Sequence, residues 1–400
     1  MKNVLYLIDP KISLISEDNM VVTRPPMGWN SWNTFGENID EKMIMEMADK
    51  MAEEKLPEYG YEYLVIDDCW SEKLRDENGR LVADHVKFPH GMKYVADYVH
   101  SKGLKFGMYS CAGSITCAGY PASYEHEFAD AATFAEWGVD FLKYDYCFHD
   151  QNVPGESHYR RMGMALANCG RDILFSACSW GADNTAEWIK TTGAHMWRST
   201  GDINDSWGSV CYLANLQKPL FKTNGHGCFN DMDMLVVGMK GKGNVGVESG
   251  MSFNEYKSHF SLWCLYGSPL MLGCDVRNMT DETRKIITNK EAIAIDQDPL
   301  GAQIFMPKTS TENFIIACRM LDGGDIAIGA FNLGDTVSSF WSGTFTLAEI
   351  GLNRSTGKTL LMKELWSGEE YLVENEVAGF AGIEPHDCRF YRAKIVDARY

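Results

Sequence analysis

The chain has 400 residues, enough for two domains or one large one, and its 45% hydrophobic and 23% charged residues are typical of a globular protein. A formal net charge of -18 without any basic run argues against nucleic acid and anionic membrane surfaces as partners. No apolar run reaches the length of a membrane span, and the N-terminal residues lack the apolar core of a signal peptide. We therefore expect a cytoplasmic protein.

Twelve cysteines are scattered along the chain, several of them inside apolar runs. Cysteines in such positions pack as small buried hydrophobic residues, and in a reducing compartment they remain thiols. Because no export signal is recognisable, this pattern favours reduced cysteines and agrees with the expected cytoplasmic location.

Between residues 22 and 297, short apolar runs alternate with amphipathic stretches. The runs predict β-strands at 26–29, 61–68, 104–110, 139–145, 173–179, 196–202, 225–231 and 269–275. Helical periodicity occupies intervals such as 40–54, 91–102, 124–137 and 254–265. This alternation predicts a (β/α)8 barrel. A doubly wound open sheet is the alternative, although the glycine-rich phosphate loop that usually follows its first strand is missing.

The C-terminal part of the sequence has a different pattern. Short alternating runs, separated by Gly, Asn and Asp turns, predict strands at 314–319, 326–332, 339–346, 359–365 and 388–391. Only residues 347–351 favour a helix there. These features predict an antiparallel β-sandwich. We divide the chain into an N-terminal extension (1–20), a barrel domain (21–301) and a sandwich domain (302–400).

Polar and aromatic residues occupy the C-terminal ends of the predicted barrel strands, where barrel enzymes carry their active sites. These ends are Trp29 to Trp32, Asp67 to Trp70, Tyr109, Lys143 to Asp145, Cys178 to Gly181, Arg198 with Asp202, Asp231 with Asp233, and Asp275. Carboxylates, cations and indoles in one place suit a pyranose, because its hydroxyl groups pair with charged side chains and its C–H face stacks on an indole ring.

Lys143 and Asp145 lie two residues apart on one predicted strand and therefore share a face. An ammonium group favours the ionised form of a nearby carboxylate, so we expect Asp145 to be charged at neutral pH. This suits a nucleophile or an electrostatic stabiliser, and a structural ion pair is the alternative. A divalent metal is less suited to the site, since no His lies at a strand end and Lys143 and Arg198 would repel a cation.

Eight short motifs occur in collinear order over residues 24–301. They are WNSW at 29–32, IDDCW at 66–70, TCAG at 116–119, KYD at 143–145, WR and DI at 197–203, NDMDML at 230–235, GCDVRNM at 273–279 and DQDPLG at 296–301. Together they resemble glycoside hydrolase family 27, the α-galactosidases and α-N-acetylgalactosaminidases. The chain is similar to a bacterial-type intracellular member.

The resemblance implies a retaining exo-glycosidase that removes a terminal α-linked galactose from a small carbohydrate without cofactor or metal. By motif position, Asp145 corresponds to the nucleophile and Asp202 to the general acid that later activates water. We expect the pKa of Asp202 to be raised, because only Arg198 offsets its burial, and the two pKa values to differ. Retention also predicts that the two carboxyl groups lie about 5–5.5 Å apart.

Other positions correspond to residues that contact the sugar in this family. Asp67 and Asp68 match the pair that binds O4 and O6 and thereby selects the galacto configuration. The remaining matches are Trp29, Tyr109, Cys117, Lys143, Cys147, Ser179, Trp180, Arg198, Asp233 and Met234. Arg198 corresponds to a position near the 2-substituent.

The cysteines depart from the family pattern. In secreted relatives the cysteines at the positions of Cys69 and Cys178 form disulfides, and both partners are missing here. Cys117 and Cys147 are both present, and whether they are bonded stays open. With two family bridges lacking a partner, we expect a fold that does not depend on oxidation.

Because of Ser179, the sequence does not decide which sugar the enzyme removes. The residue at this position is often Glu in α-galactosidases, whereas a Ser here and an Ala three positions on, as in Ala182, occur in animal α-N-acetylgalactosaminidases. That activity, or another donor used within the family, is therefore the alternative. A sugar-binding barrel without activity is a third hypothesis, which the presence of both carboxylates disfavours. A homo-oligomer is also left open.

Overall fold

The computed structural model describes residues 21–308, 310–339 and 343–398, so the predicted N-terminal extension lies outside the described residues. Eight parallel strands form the first sheet: β1 (Met27–Asn30), β2 (Tyr63–Val65), β3 (Lys105–Cys111), β4 (Phe141–Asp145), β5 (Leu174–Cys178), β6 (Met196–Arg198), β7 (Phe229–Asp231) and β8 (Leu270–Leu272). Each overlaps the strand predicted for its place in the chain.

The sheet curls into a barrel. Its strand order is β7-β6-β5-β4-β3-β2-β1-β8, and β1 pairs in parallel with both β2 and β8. Between β7 and β8 the ring is completed by a parallel bridge between Leu235 and Leu272, with the Leu235 N–H donating to Met271 O at 2.7 Å. The (β/α)8 prediction is confirmed, and the open doubly wound sheet is excluded.

Helices connect the strands and cover the outside of the barrel. They are α1 (Trp32–Phe35), α2 (Glu41–Glu53), α3 (Gly91–Ser101), α4 (Glu127–Trp137), α5 (Gly155–Ala167), α6 (Thr185–Trp188), α7 (Trp207–Leu216), α8 (Phe253–Tyr266), α9 (Asp281–Ile287) and α10 (Lys290–Asp296). In α2 the Asp40 carboxylate caps the first turn by accepting the Met43 N–H at 2.7 Å. Among the described residues, no helix is both long and apolar enough to cross a bilayer.

Apolar side chains fill the barrel interior, and most of them come from alternate positions of the strands. This cluster comprises Val22, Tyr63, Val65, Phe141, Leu174, Met196, Phe229, Met234 and Met271. Because the interior is packed, a ligand binds at an end of the barrel, and barrel enzymes carry their active sites at the C-terminal ends of the strands.

The C-terminal part forms two antiparallel sheets, of six and two strands, in the orders β14-β13-β16-β11-β10-β9 and β12-β15. The strands are β9 (Ile304–Phe305), β10 (Phe314–Met320), β11 (Ile326–Asn332), β12 (Thr344–Thr346), β13 (Lys358–Glu364), β14 (Glu370–Leu372), β15 (Val377–Gly379) and β16 (Cys388–Asp397). Side chains from both sheets share one apolar core, for example Ile328, Phe345 and Phe380. The predicted sandwich is confirmed.

The sequence missed three strands of the sandwich. Strand β9 has only two residues, and all three residues of β14 are exposed, so neither carries a readable alternation. Strand β15 is also three residues long. The predicted strand 339–346 is longer than the observed one, because only β12 forms there in the described part of the chain.

Helix α8 joins the two domains. Every residue from Tyr256 to Tyr266 is buried, because the barrel packs against one side of this helix and strands β11 and β16 against the other. The Lys257 ammonium pairs with Asp387 at 2.6 Å, and the Ser258 hydroxyl donates to His386 O at 3.0 Å. The sandwich therefore supports a helix that is also part of the barrel wall. The predicted boundary at residue 301 stays a prediction.

Candidate active site

Asp145 ends β4 and is held in a fixed orientation. Its Oδ1 accepts the N–H of Tyr146 at 2.9 Å, and its Oδ2 accepts the hydroxyl of Tyr109 at 3.1 Å. Burial raises the pKa of Asp145 to about 6, and the Lys143 ammonium acts in the opposite direction without cancelling it. The carboxyl is therefore mostly ionised at pH 7, as expected, although its pKa lies above the ordinary value.

Lys143 pairs with Asp67 and not with Asp145. Its ammonium donates to Asp67 Oδ2 at 2.8 Å, and the Asn30 amide donates to the same oxygen at 2.7 Å. Although burial opposes the charged ammonium, the Asp67 carboxylate outweighs it and raises the pKa of Lys143. Asp67 therefore has two side-chain donors on one oxygen.

Asp68 is fixed by backbone groups from two segments. Its Oδ1 accepts the Cys69 N–H at 2.7 Å, and its Oδ2 accepts the Ala118 N–H at 3.0 Å. Burial raises the pKa of this carboxyl, and the two N–H donors act against that rise. The contact to Ala118 fastens the loop that follows β3 to the end of β2.

Arg198 organises the other side of the site. Its guanidinium is buried and contacts Asp202 Oδ1 at 2.6 Å, Asp233 Oδ1 at 2.9 Å and Thr200 O at 3.2 Å. Asp233 Oδ2 accepts the Ile203 N–H at 2.7 Å. The backbone of Asp233 has a φ of 83°, a conformation that is costly for a residue other than glycine. The segment 200–203 is thus held by the Arg198 guanidinium and by Asp233, with which Arg198 pairs.

Asp202 lies at the mouth of the site with 80% of its side chain exposed. The water that nearby protein groups displace from its carboxyl acts to raise its pKa, but the contacting Arg198 guanidinium outweighs this loss of water and lowers the pKa of Asp202. The predicted raised pKa is wrong. The sequence shows that Arg198 is four residues away, and only the fold shows that it contacts the carboxylate directly.

Charged and apolar side chains line one small cavity in the barrel. Its volume is about 30 Å³, and its lining includes the charged Lys143, Arg198, Asp231 and Asp233 and the apolar Met234. The charged groups of the site therefore border apolar side chains of the barrel interior.

The chain matches two family descriptions. The family described as alpha galactosidase A matches residues 24–298, and the alpha galactosidase C-terminal beta sandwich domain matches residues 311–393. The chain belongs to the α-galactosidase A family. This confirms the resemblance to glycoside hydrolase family 27 and the predicted enzyme class, a glycoside hydrolase.

Individual relatives are similar along nearly the whole chain. An alpha-galactosidase of Cyamopsis tetragonoloba is 42% identical over 379 residues, which cover 94% of this chain and 87% of the relative. Alpha-galactosidase A of Cellvibrio japonicus is 44% identical over 361 residues, covering 86% of each. The crystal structure of alpha-galactosidase I from Mortierella vinacea superposes with a TM-score of 0.85 at 32% identity and covers 93% of this chain and 97% of that one.

The cysteines of this family member include one disulfide, which joins Cys117 to Cys147. The Tyr109 hydroxyl lies 3.4 Å from Cys117 Sγ, so the bond borders the Asp145 site. Cys69 and Cys178 are buried free thiols, as their missing partners imply. The sequence left open whether Cys117 and Cys147 are bonded, and the structure shows that they are. The bond links the loop after β3 to the segment that follows β4.

Two of the residues predicted to contact the sugar are completely buried and bonded to protein groups. Trp29 is completely buried, and its indole N–H donates to Cys274 O at 2.8 Å. Ser179 is also completely buried, and its hydroxyl shares a hydrogen bond of 2.7 Å with Thr185. The polar atoms of both side chains therefore have protein partners, and their sugar contacts stay predictions. Trp180, the residue after Ser179, is half-buried with a φ of 58°.

Three further residues at the strand ends, which the sequence analysis named without assigning them a sugar contact, also lie at the site. Trp32 starts α1 and is half-buried, so it is the indole of the WNSW motif that a ligand can contact. Burial raises the pKa of Asp231 to about 6, against the effect of Arg198, and Asp231 Oδ1 accepts the Asp233 N–H at 2.8 Å. Asn30 donates to Asp67, as described above. All three lie in the motifs at strand ends, which was the signal available.

Proposed function

We propose that this protein is a retaining α-galactosidase that hydrolyses terminal α-linked galactose from oligosaccharides or glycoconjugates. The observation that carries the proposal is the pairing of a buried, doubly hydrogen-bonded Asp145 with an exposed Asp202 at the same end of the barrel. The relatives named as alpha-galactosidases support the choice of sugar, since they align with 86% or more of this chain.

In the first step an Asp145 oxygen attacks the anomeric carbon while Asp202 donates its proton to the leaving oxygen. The C–O bond to the aglycone breaks, and a galactosyl ester of Asp145 forms. In the second step Asp202 takes a proton from water, whose oxygen attacks the same carbon and releases galactose and the Asp145 carboxylate. Two inversions at one carbon give net retention.

Substrate binding supplies the protonation state that Asp202 needs. In the free protein its carboxylate is exposed and paired with Arg198, which favours the ionised form. A bound substrate excludes water from that carboxylate and so raises its pKa, which allows it to hold the proton that the leaving oxygen requires. Once Asp145 is an ester its negative charge is gone, and Asp202 again favours the ionised form and acts as a base.

The galacto configuration would be selected by Asp67 and Asp68. Each carboxylate is buried and already held by protein donors, so its remaining lone pairs can accept hydroxyl groups only in fixed directions. The ammonium of Lys143 pairs with Asp67 Oδ2 at 2.8 Å and so fixes the orientation of that carboxylate beside the sugar.

An α-N-acetylgalactosaminidase is the alternative, suggested by the small side chains of Ser179 and Ala182. The burial of Ser179 against Thr185 weakens it, because a shortened side chain that faces the protein makes no room for an acetamide group.

The test compares nitrophenyl α-galactoside with nitrophenyl α-N-acetylgalactosaminide and follows the product anomer by NMR. We expect a higher kcat/KM for the galactoside and α-galactose as the first product. Preference for the acetamido sugar would replace the proposal by the alternative, and an initial β-anomer would exclude retention.

A cytoplasmic location remains a separate proposal. The unpaired Cys69 and Cys178 support it, whereas a bond between Cys117 and Cys147 is more usual in oxidising compartments. Fractionation of the native cells tests it, and recovery of the protein outside the cytoplasmic fraction would exclude it.

A further inference from the structure

Three residues after the proposed general acid lies Asp205, a completely buried carboxylate that the proposed mechanism does not use. Its Oδ2 accepts the Gly241 N–H at 2.6 Å, and the hydroxyl of Tyr256 lies 2.9 and 3.0 Å from its two oxygens. Its own N–H donates to Val245 O at 3.0 Å. A buried carboxylate is tolerated only where such donors compensate for lost water.

The hydroxyl of Tyr256 contacts both Asp205 and the backbone of a neighbouring loop. It lies in the first turn of α8, and its hydroxyl donates to Asp205 while accepting the N–H of Lys240 at 2.7 Å and of Met251 at 3.4 Å. Asp205 and Tyr256 therefore hold both ends of the segment 238–251, here called the glycine loop. It contains five glycines.

Close packing explains the glycine near the C-terminal end of this loop. A Cβ placed on Gly250 would lie 2.5 Å from Asp205 Oδ2, and Gly250 has a φ of 70°. Both facts require glycine at this position. The loop is thus shaped to fit around Asp205.

The glycine loop also contacts helix α1. The Asn244 N–H donates to Thr34 O and the Val245 N–H to Asn33 O, each at 3.1 Å. Both acceptors belong to α1, which begins at Trp32. The loop therefore connects the segment that carries Asp202 with the segment that carries the accessible indole.

We propose that Asp205 and Tyr256 are positioning residues for the general acid Asp202. An exposed side chain is not oriented by packing, so its direction depends on how firmly the backbone on either side is held. On one side Arg198 holds the carboxylate itself, and on the other Ile203 and Asp205 anchor the backbone to Asp233 and to the glycine loop. This inference rests on the proposed function, because it assigns a purpose to the acid role of Asp202.

A positioning role makes a distinctive kinetic prediction. Loss of the anchor should lower kcat/KM only for substrates whose leaving group must be protonated, because the later step in which Asp202 activates water affects kcat and not kcat/KM. A merely structural hydrogen bond would instead lower the amount of folded protein and affect all substrates by the same factor.

The experiment uses Tyr256→Phe and compares kcat/KM for methyl α-galactoside, a poor leaving group, with that for dinitrophenyl α-galactoside, which needs no proton. General acid catalysis contributes about 10²–10⁴-fold, so a displaced acid should cost roughly tenfold or more on the methyl glycoside and less than about threefold on the activated one. The matched control is Tyr61→Phe, which removes a buried hydroxyl that donates to Ile287 O at 2.7 Å and precedes β2, at the opposite end of the barrel. Its substrate ratio should equal that of the native protein.

An equal loss on both substrates, or no loss on either, would overturn the inference. If Tyr256→Phe does not fold, Asp205→Asn takes its place, because the amide keeps the size and an acceptor for Gly241 while disrupting the contact with Tyr256. The same substrate dependence is expected.

Asp202→Ala separates this inference from the proposed function. If Asp202→Ala itself shows no dependence on the leaving group, the acid role fails and the proposed function with it. If Asp202→Ala shows the dependence and both anchor variants do not, only the positioning role is wrong.

Discussion

The two proposed catalytic carboxylates lie in different surroundings. Asp145 ends a barrel strand, is 6% exposed and is oriented by a backbone N–H and a tyrosine hydroxyl. Asp202 lies in a loop after β6, with 80% of its side chain exposed, and is held by Arg198. A nucleophile must meet one carbon along one direction, which a rigid strand end provides. The acid must meet leaving groups of different shape, and an exposed position on an anchored loop allows that.

The largest effect should distinguish the two carboxylates by substitution. Asp145→Ala removes the attacking atom and should reduce kcat/KM by about 10⁴-fold or more on every substrate. Asp202→Ala should keep partial activity on dinitrophenyl α-galactoside, because that leaving group needs no proton, and lose most activity on methyl α-galactoside.

Added azide provides the control for this pair. It should accelerate Asp202→Ala, since an anion needs no general base, and should not restore product of the original anomer with Asp145→Ala. If Asp202→Ala were equally inactive on activated and unactivated substrates, the division of roles would be incorrect.

The disulfide between Cys117 and Cys147 borders Asp145, and its reduction should lower the stability of the protein. It closes a loop with a sequence separation of 30 residues. A bond of this span contributes about 3.6 kcal/mol by restricting the unfolded chain, so dithiothreitol should lower Tm by several degrees. The double variant Cys117→Ser/Cys147→Ser should show no further change with reductant. An unchanged Tm of the native protein would instead agree with the expectation drawn from the sequence.

The buried charge of Asp145 should make the fold less stable at neutral pH. Its pKa is raised to about 6 from 3.8, so the protonated form contributes stability that is complete below the lower value and lost as pH rises through the higher one. Asp145→Asn removes the charge and should raise the free energy of unfolding at pH 7 by about 2–3 kcal/mol. Denaturant titrations at pH 7 and pH 4 measure this. A gain of the same size at pH 4 would mean that the charge is not its cause.

The smallest effect should come from the hydroxyl that orients Asp145. Tyr109→Phe removes the 3.1 Å hydrogen bond to Oδ2 and should reduce kcat/KM by about tenfold, or 1.4 kcal/mol, on activated and unactivated substrates alike. Tyr144→Phe is the matched control, because the buried Tyr144 hydroxyl has no hydrogen-bond partner among the described residues. A leaving-group dependence in Tyr109→Phe would place this hydroxyl on the acid side instead.

The sequence by itself determined the order of strands and helices, the sandwich that follows them and the strand ends at which Asp67, Asp68 and Asp145 lie. These features depend on periodicity within a few residues and on the rule that parallel barrels bind ligands at one end. The sequence did not predict strands β9 and β14, because β9 is very short and β14 has no buried face.

Only the tertiary structure decided which side chains meet. Lys143 could have paired with Asp145 on its own strand, and it pairs with Asp67, 76 residues away. The Trp29 indole donates to a carbonyl 245 residues further along the chain, and the Tyr256 hydroxyl donates to Asp205, 51 residues before it. Burial and charge pairing set the pKa values of Asp145 and Asp202, and both depend on distances between segments that are far apart in sequence.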